Sequence, residues 1–212
     1  MEKRATRQRN GIAVIEFSFA VVMLVPLLLG TFVFGFRLIR SLEMEQIVRD
    51  LGHMYVRGVD FQKPGPIQNA QTLSQGFDLT SSGTSLLMFS QVVVVTQADC
   101  DAANPSRPAG TPCTNLNKPV FTEQYTIGNS SLTINGAAAH SAFGTPPTQS
   151  TDHSVTSANQ ANNATAQATG FGSVLTLQGG EFAYVVEMFN TTPDLNVPGL
   201  SGSPQVYARS VF

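Results

Sequence analysis

With 212 residues, 42 % of them hydrophobic, 12 % charged and a formal net charge of −2, the chain is long enough for one modest domain and its core. So balanced a charge excludes a strongly basic surface, and with it any general electrostatic attraction for nucleic acid. The apolar residues crowd towards the N-terminus, which separates a membrane-seeking part from a globular one.

Residues 1–11 form a short basic leader in which Lys3, Arg4, Arg7 and Arg9 face the single acid Glu2. Over the next 25 residues, 12–36, Glu16 is the only charge. About 20 apolar residues suffice to cross a bilayer as a helix, so this stretch is expected to be a transmembrane helix. A buried helix of a soluble protein would keep a polar face, and here there is nothing polar beyond Glu16, Ser18 and Thr31. The basic residues ahead of the span outweigh Arg37 and Arg40 behind it, which predicts a cytoplasmic N-terminus and a domain outside the membrane. Pro26 lies inside the span, where its missing amide and bulky ring predict a kink.

Beyond the span, Met44, Ile47, Val48, Leu51 and Tyr55 recur at helical spacing. Residues 37–57 therefore continue the helix as an amphipathic one that ends near Gly58. Gly, Pro, Ser and Gln dominate 58–85, which reads as a linker with a short helix around 68–75. A β-rich domain is expected over 86–212. Within it LLMFSQVVVVT (86–96) has the run of valines of a central strand or one buried on both faces, while 120–127 and 173–177 alternate like ordinary strands. Gly179 and Gly180 signal a hairpin turn into EFAYVVEMF, and 205–212 reads as a last strand. Between these, 128–172 is rich in Ser, Thr, Asn, Ala and Gln, with Asp152 as its only acid and no Lys or Arg. Such a composition predicts a low-complexity excursion with little apolar surface to bury. The fold class expected is α+β: a long N-terminal helix, transmembrane then amphipathic, on a small antiparallel sheet of four or five strands.

Cys100 and Cys113 bracket the loop DAANPSRPAGTP, and outside the membrane a disulfide between them is the expected state. Closing so short a loop stabilises by about 3 kcal/mol in the chain-entropy account. His53, His140 and His153 show no ligand spacing with either cysteine, so no metal is expected. Asp99 and Asp101 flank Cys100 in a pattern open to calcium, though a solvated turn explains them more simply. The sequons at Asn129, Asn163 and Asn190 follow from an Asn/Ser/Thr-rich composition. No nucleophile elbow, phosphate loop or HExxH motif occurs, and the expectation is a protein that is not an enzyme and needs no cofactor.

The segment RQRNGIAVIEF joins a basic tract, Gly11, and an apolar start with Glu16 five residues beyond the glycine. It resembles a type IV prepilin leader. The resemblance implies cutting between Gly11 and Ile12 by a membrane-bound prepilin peptidase, after which Glu16 would pair with the new amine of a neighbouring subunit. A carboxylate within the bilayer is costly, which gives such pairing a physical reason. Read without the resemblance, Glu16 sits in the first turn of a signal-anchor helix, where the helix dipole favours an acid. GIAVIEFSFAVVMLVPLLLGTFVFG is similar to the start of TadE-like proteins, the pseudopilins of tight-adherence (Flp-type) pilus systems, with Glu16 and Phe17 opening the helix and Pro26 near its middle. GGEFAYVVEMFNTTPDL looks like the late strand of that family, with Glu187 inside it and Pro193 after it. The likeness covers about residues 8–60 and 175–212 and leaves out the cysteine loop and the excursion.

It implies a minor pilin-like component of a bacterial inner membrane, single-pass, with its head in the periplasm or outside the cell. Glu16 and Phe17 would serve assembly, and the partners would be the lipid bilayer, the prepilin peptidase, other pilin-like subunits and the pilus assembly platform. Gly30 and Gly35 would allow close helix approach, although outside GxxxG spacing. The alternative is an uncleaved, membrane-anchored binding or adhesion protein of the bacterial envelope whose polar insertion meets its partner. A secreted protein with an ordinary signal peptide is disfavoured, because the apolar run exceeds the usual length of about 7–15 residues and no AxA-like site follows it.

Overall fold

The computed structural model describes residues 3–192 and 205–212, so Pro193 lies outside it. Its first element, α1 (Lys3–Val56), is a single helix of 54 residues that takes in the leader, the apolar span and the amphipathic stretch. The helix continues through Pro26 without interruption. Ser18 donates its hydroxyl to the Val14 carbonyl, and Thr31 to those of Leu27 and Leu28, so both polar side chains are satisfied by the helix itself.

The end of α1 has a local cause. Gly58 adopts a φ of +81°, its amide donates to the Tyr55 carbonyl at 2.9 Å, and the Val59 amide reaches back to Met54 at 3.1 Å. This is the Schellman pattern, and Met54 and Val59 provide the apolar contact that accompanies it. α2 (Pro64–Leu73) begins on a proline, whose missing amide costs nothing at a first helical position. That placement starts the helix four residues before the expected 68.

A four-stranded antiparallel sheet follows, built from β1 (Ser85–Val94), β2 (Pro119–Gly128), β5 (Phe182–Thr191) and β6 (Gln205–Val211) in the order β2-β1-β5-β6. The valine-rich β1 is central and buried on both faces. One face meets α1: Met44, Ile47, Val48, Leu51 and Tyr55 close over Leu87, Phe89, Tyr125, Ile127, Val186, Met188 and Ala208. The architecture is therefore α+β and pilin-like, a long helix lying on a small antiparallel sheet.

The opposite face holds the main correction. Residues 128–172, expected to be loosely packed, lie against the sheet, with Leu132, Phe143, Val155, Ala168 and Phe171 buried on it. The segment contains a two-stranded pair, β3 (Thr133–Ile134) with β4 (Ala137–Ala138), and a short helix, α4 (Ser157–Asn162). Its few apolar residues are spaced so that each meets the sheet, and polar side chains such as Asn115 and Gln167 bond across its turns.

A second correction concerns 173–177, which is no strand: a 3₁₀ turn at Phe171–Ser173 is followed by irregular chain with Val174 and Leu175 exposed. Both sides of β5 are already paired, to β1 and β6, so no sheet edge is free there for this segment. The Gly179–Gly180 turn consequently closes onto β1, through Gly180 N–H to the Val94 carbonyl at 2.9 Å, instead of forming a hairpin. Cys100, on α3 (Gln97–Ala103), is bonded to Cys113 with Cα atoms 5.3 Å apart.

Candidate functional site

Three places carry chemistry. The first is the outer half of α1. Ile12–Val56 is long and apolar enough to cross a membrane, and its most apolar window is wholly unburied by the rest of the protein. At 1.5 Å per residue, residues 12–36 extend about 37 Å, more than the roughly 30 Å hydrocarbon core of a bilayer. Phe17 and Phe34 are 70 % and 71 % exposed, so the apolar side chains point away from the head all along this half. Gly11, Ile12, Glu16 and Phe17 fall within two turns of it, with Glu16 exposed one turn beyond Ile12. A side chain at Gly30 or Gly35 would meet nothing within 4 Å, so neither glycine is needed for packing within this chain. Cys100 and Cys113 belong elsewhere, in the head, where they join α3 to a small cluster with Ala161 and Ala166.

Second is Glu187, the acid inside the late strand. It is fully buried on the sheet face remote from α1. Its Oε1 accepts from the Tyr207 hydroxyl at 2.6 Å and from the Ala142 amide at 2.9 Å, so it fastens the excursion to the sheet. Burial first, and the Glu187 carboxylate second, push the Tyr207 hydroxyl above its ordinary titration range. Arg209, opposite Glu187 in register, places its guanidinium 4.7 Å from the centre of the Phe143 ring. Glu187 thus acts as a polar pin beneath a cation-π lid.

The third place, a cleft of about 460 Å³ at the far end of α1, brings together residues that the sequence scatters. A bulge in β2 helps to create it. Gln91 pairs with Glu123 but Val92 with Phe121, so Thr122 is the extra residue and donates its hydroxyl to Gln91. The extra residue switches which face the odd-numbered side chains take: Phe121 points to the excursion, whereas Glu123 and Tyr125 point to the α1 side. Tyr55 from α1 and Tyr184 from β5 stand with their rings 4.8 Å apart, and Asp60 and Asp152 complete the rim. Gln62 bridges the acids, donating to Glu123 Oε1 at 2.9 Å and to the Asp152 carbonyl at 3.0 Å.

The electrostatics of this cleft are strained by crowding. Burial raises the Glu123 carboxyl above its usual range, the Gln62 hydrogen bond opposes this, and Asp60 and Asp152 push it further up. Asp152 is held low by the Ser154 hydroxyl and amide. Tyr55 and Tyr125 are raised above the ordinary tyrosine range by burial, and Glu123 adds to both. Neither phenol makes a hydrogen bond, although the Phe61 amide lies close enough to act on Tyr125.

By sequence Tyr55 belongs to a packing stripe, Glu123 to an alternating strand and Asp152 to a polar excursion. The three meet only through tertiary structure, so no spacing pattern could have joined them. Asp99 closes the capping box of α3, accepting from the amide and hydroxyl of the N-cap residue Thr96, and Asp101 accepts from Gln97 and the Gly110 amide. Among the described residues no group of three or more His, Cys, Asp or Glu is placed to hold a metal ion. Compared with known protein families, with curated proteins and with solved structures, the chain matches none.

Proposed function

We propose that this chain is a minor pilin-like component, a pseudopilin without enzymatic activity or cofactor, that assists assembly of a tight-adherence type IV pilus. The observation that supports it most is the division of labour along α1. One unbroken helix leaves its apolar half bare, Phe17 and Phe34 included, and buries its other half, from Met44 to Tyr55, under the sheet. A helix that served only the head would not need the bare half.

In this reading the head lies outside a bacterial inner membrane and the leader in the cytoplasm. The prepilin peptidase cuts between Gly11 and Ile12, and Glu16 pairs with the freed amine of a neighbouring pilin-like subunit, which relieves the cost of a carboxylate in lipid. Phe17, the Gly30 and Gly35 notches and a bend at Pro26 fit the helix against its neighbours and the assembly platform.

The test is the N-terminal residue and mass of the protein purified from membranes of cells carrying the whole pilus system, with and without the prepilin peptidase. A peptidase-dependent start at Ile12, abolished by Gly11→Leu, is expected. An intact Met1 in both strains sinks the proposal. It would leave the second reading, an uncleaved membrane-anchored binding protein of the envelope, which the cleft at the end of α1 favours.

A further inference from the structure

We infer that the cleft framed by Tyr55, Glu123, Tyr125 and Asp152 is a binding site for a protonated amine or guanidinium group, the end of a lysine or arginine side chain or of a free alkyl cation. The inference stands on the head alone and does not depend on leader cleavage.

Three observations converge. The cleft holds three carboxylates, Asp60, Glu123 and Asp152, against the single ammonium of Lys63. Lys63 reaches Asp60 only at 3.7 Å and its side chain is 71 % exposed, so it neutralises the rim and not the floor. On the floor, the Tyr55 hydroxyl is buried without a hydrogen bond in a residue only 7 % exposed, and the Tyr125 hydroxyl, in a residue 5 % exposed, has only the Phe61 amide near it. A buried hydroxyl left unpaired keeps the cost of its lost hydration, which a ligand's hydrogen bond would offset.

The missing partner must supply what the cleft lacks. Gln62 already spends its amide hydrogens on Glu123 and Asp152, leaving an excess of acceptors and of negative charge. An N–H donor carrying positive charge meets both needs, bonding carboxylate and phenol oxygens together while its stem lies along the Tyr55 and Tyr184 rings. Neutral donors leave the charge unanswered, and anions are repelled. The volume, about 460 Å³, falls in the range of ordinary side-chain and small-ligand pockets. A lipid headgroup amine is out of reach: even from Leu42, the last large exposed apolar residue of the outer half, Tyr55 lies about 20 Å further along the helix.

Isothermal titration calorimetry on the full chain in uncharged dodecyl maltoside micelles tests this. The probes are agmatine, the peptide acetyl-Gly-Arg-Gly-amide and the same peptide with neutral citrulline for arginine. The arginine peptide should bind at least about tenfold more tightly than its citrulline counterpart, the loss expected for about 1.4 kcal/mol. Glu123→Gln should weaken it by a similar factor. Tyr55→Phe, which keeps the ring, should weaken binding several-fold while raising the unfolding temperature of the unliganded protein, a pairing that a purely structural tyrosine does not produce. Agmatine binding as tightly as the peptide identifies a free cation as the occupant, and a tighter peptide identifies a partner's side chain. Equal affinity for the arginine and citrulline peptides, unchanged affinity in a folded Glu123→Gln variant, or no binding at millimolar arginine peptide overturns the inference.

Discussion

The two faces of the sheet are covered in opposite ways. Towards α1 the cover is one regular element, and the contacts are large and aromatic: Phe89 lies 4.5 Å from Phe61, 4.9 Å from Tyr125 and 5.4 Å from Tyr55, centre to centre. Towards the excursion the cover is irregular chain that contributes single residues, many of them alanine, and holds on through the hydrogen bonds of Glu187 and Asn115, beside the disulfide-closed loop against which Ala161 and Ala166 pack. A periodic helix can seal a face with apolar area alone. An irregular segment must also satisfy its own backbone, so it brings polar pins with it.

The largest effect is expected where area dominates. Phe89→Ala should destabilise by about 3–5 kcal/mol in denaturant unfolding, since it empties the centre of the helix-side cluster. A loss below about 1 kcal/mol would show that this face is not the main source of stability. Next, converting both Cys100 and Cys113 to serine opens a loop of 13 residues and should cost about 3 kcal/mol. Hydrogen exchange should then quicken around Val120, Ala161 and Ala166 while Val48 and Leu51 remain protected, and uniform loss of protection would erase the distinction between the faces.

Glu187→Ala removes the acceptor shared by Tyr207 and Ala142 and should cost about 1.5–3 kcal/mol, with faster exchange at the Ala142 amide as its local sign. The smallest effect is one of pH. The folded-state pKa of Glu123 is raised, so its contribution favours folding at low pH and is lost as pH rises through that value. Glu123→Gln does not titrate, and its unfolding temperature relative to the parent should climb as pH increases from about 4 towards neutrality. A difference that is flat with pH, or falls, contradicts burial of the carboxyl.

The same contrast explains what could be read from the residues. Met44, Ile47, Val48, Leu51 and Tyr55 repeat with the period of a helix, and all five are buried as that period requires. The valines of β1 and the run of 205–212 likewise express local preferences that the sheet keeps, whereas the alternation in β2 changes face at the Thr122 bulge. Phe143, Val155 and Phe171 follow no period, because each is delivered by a separate turn, and so a buried cover looked like a polar excursion. Residues 173–177 have the alternation of a strand, but pairing needs a free edge, which only the assembled sheet decides. For the candidate sites, Gly11, Ile12, Glu16 and the cysteine pair stood out as local patterns. The cleft did not, since it depends on a bulge at Thr122 and on contacts between Tyr55, Glu123 and Asp152 in three separate segments.

The uninterrupted course of α1 from the bare half to the buried half fixes more than distance. A helix turns by about 100° per residue, so the compass bearing of the head is locked to that of Glu16 and Phe17 by the number of residues between them. Inserting one residue between Phe36 and Met44 would leave both halves intact yet swing the cleft about 100° around the axis, so that whatever the outer half faces, the cleft would face a different neighbour.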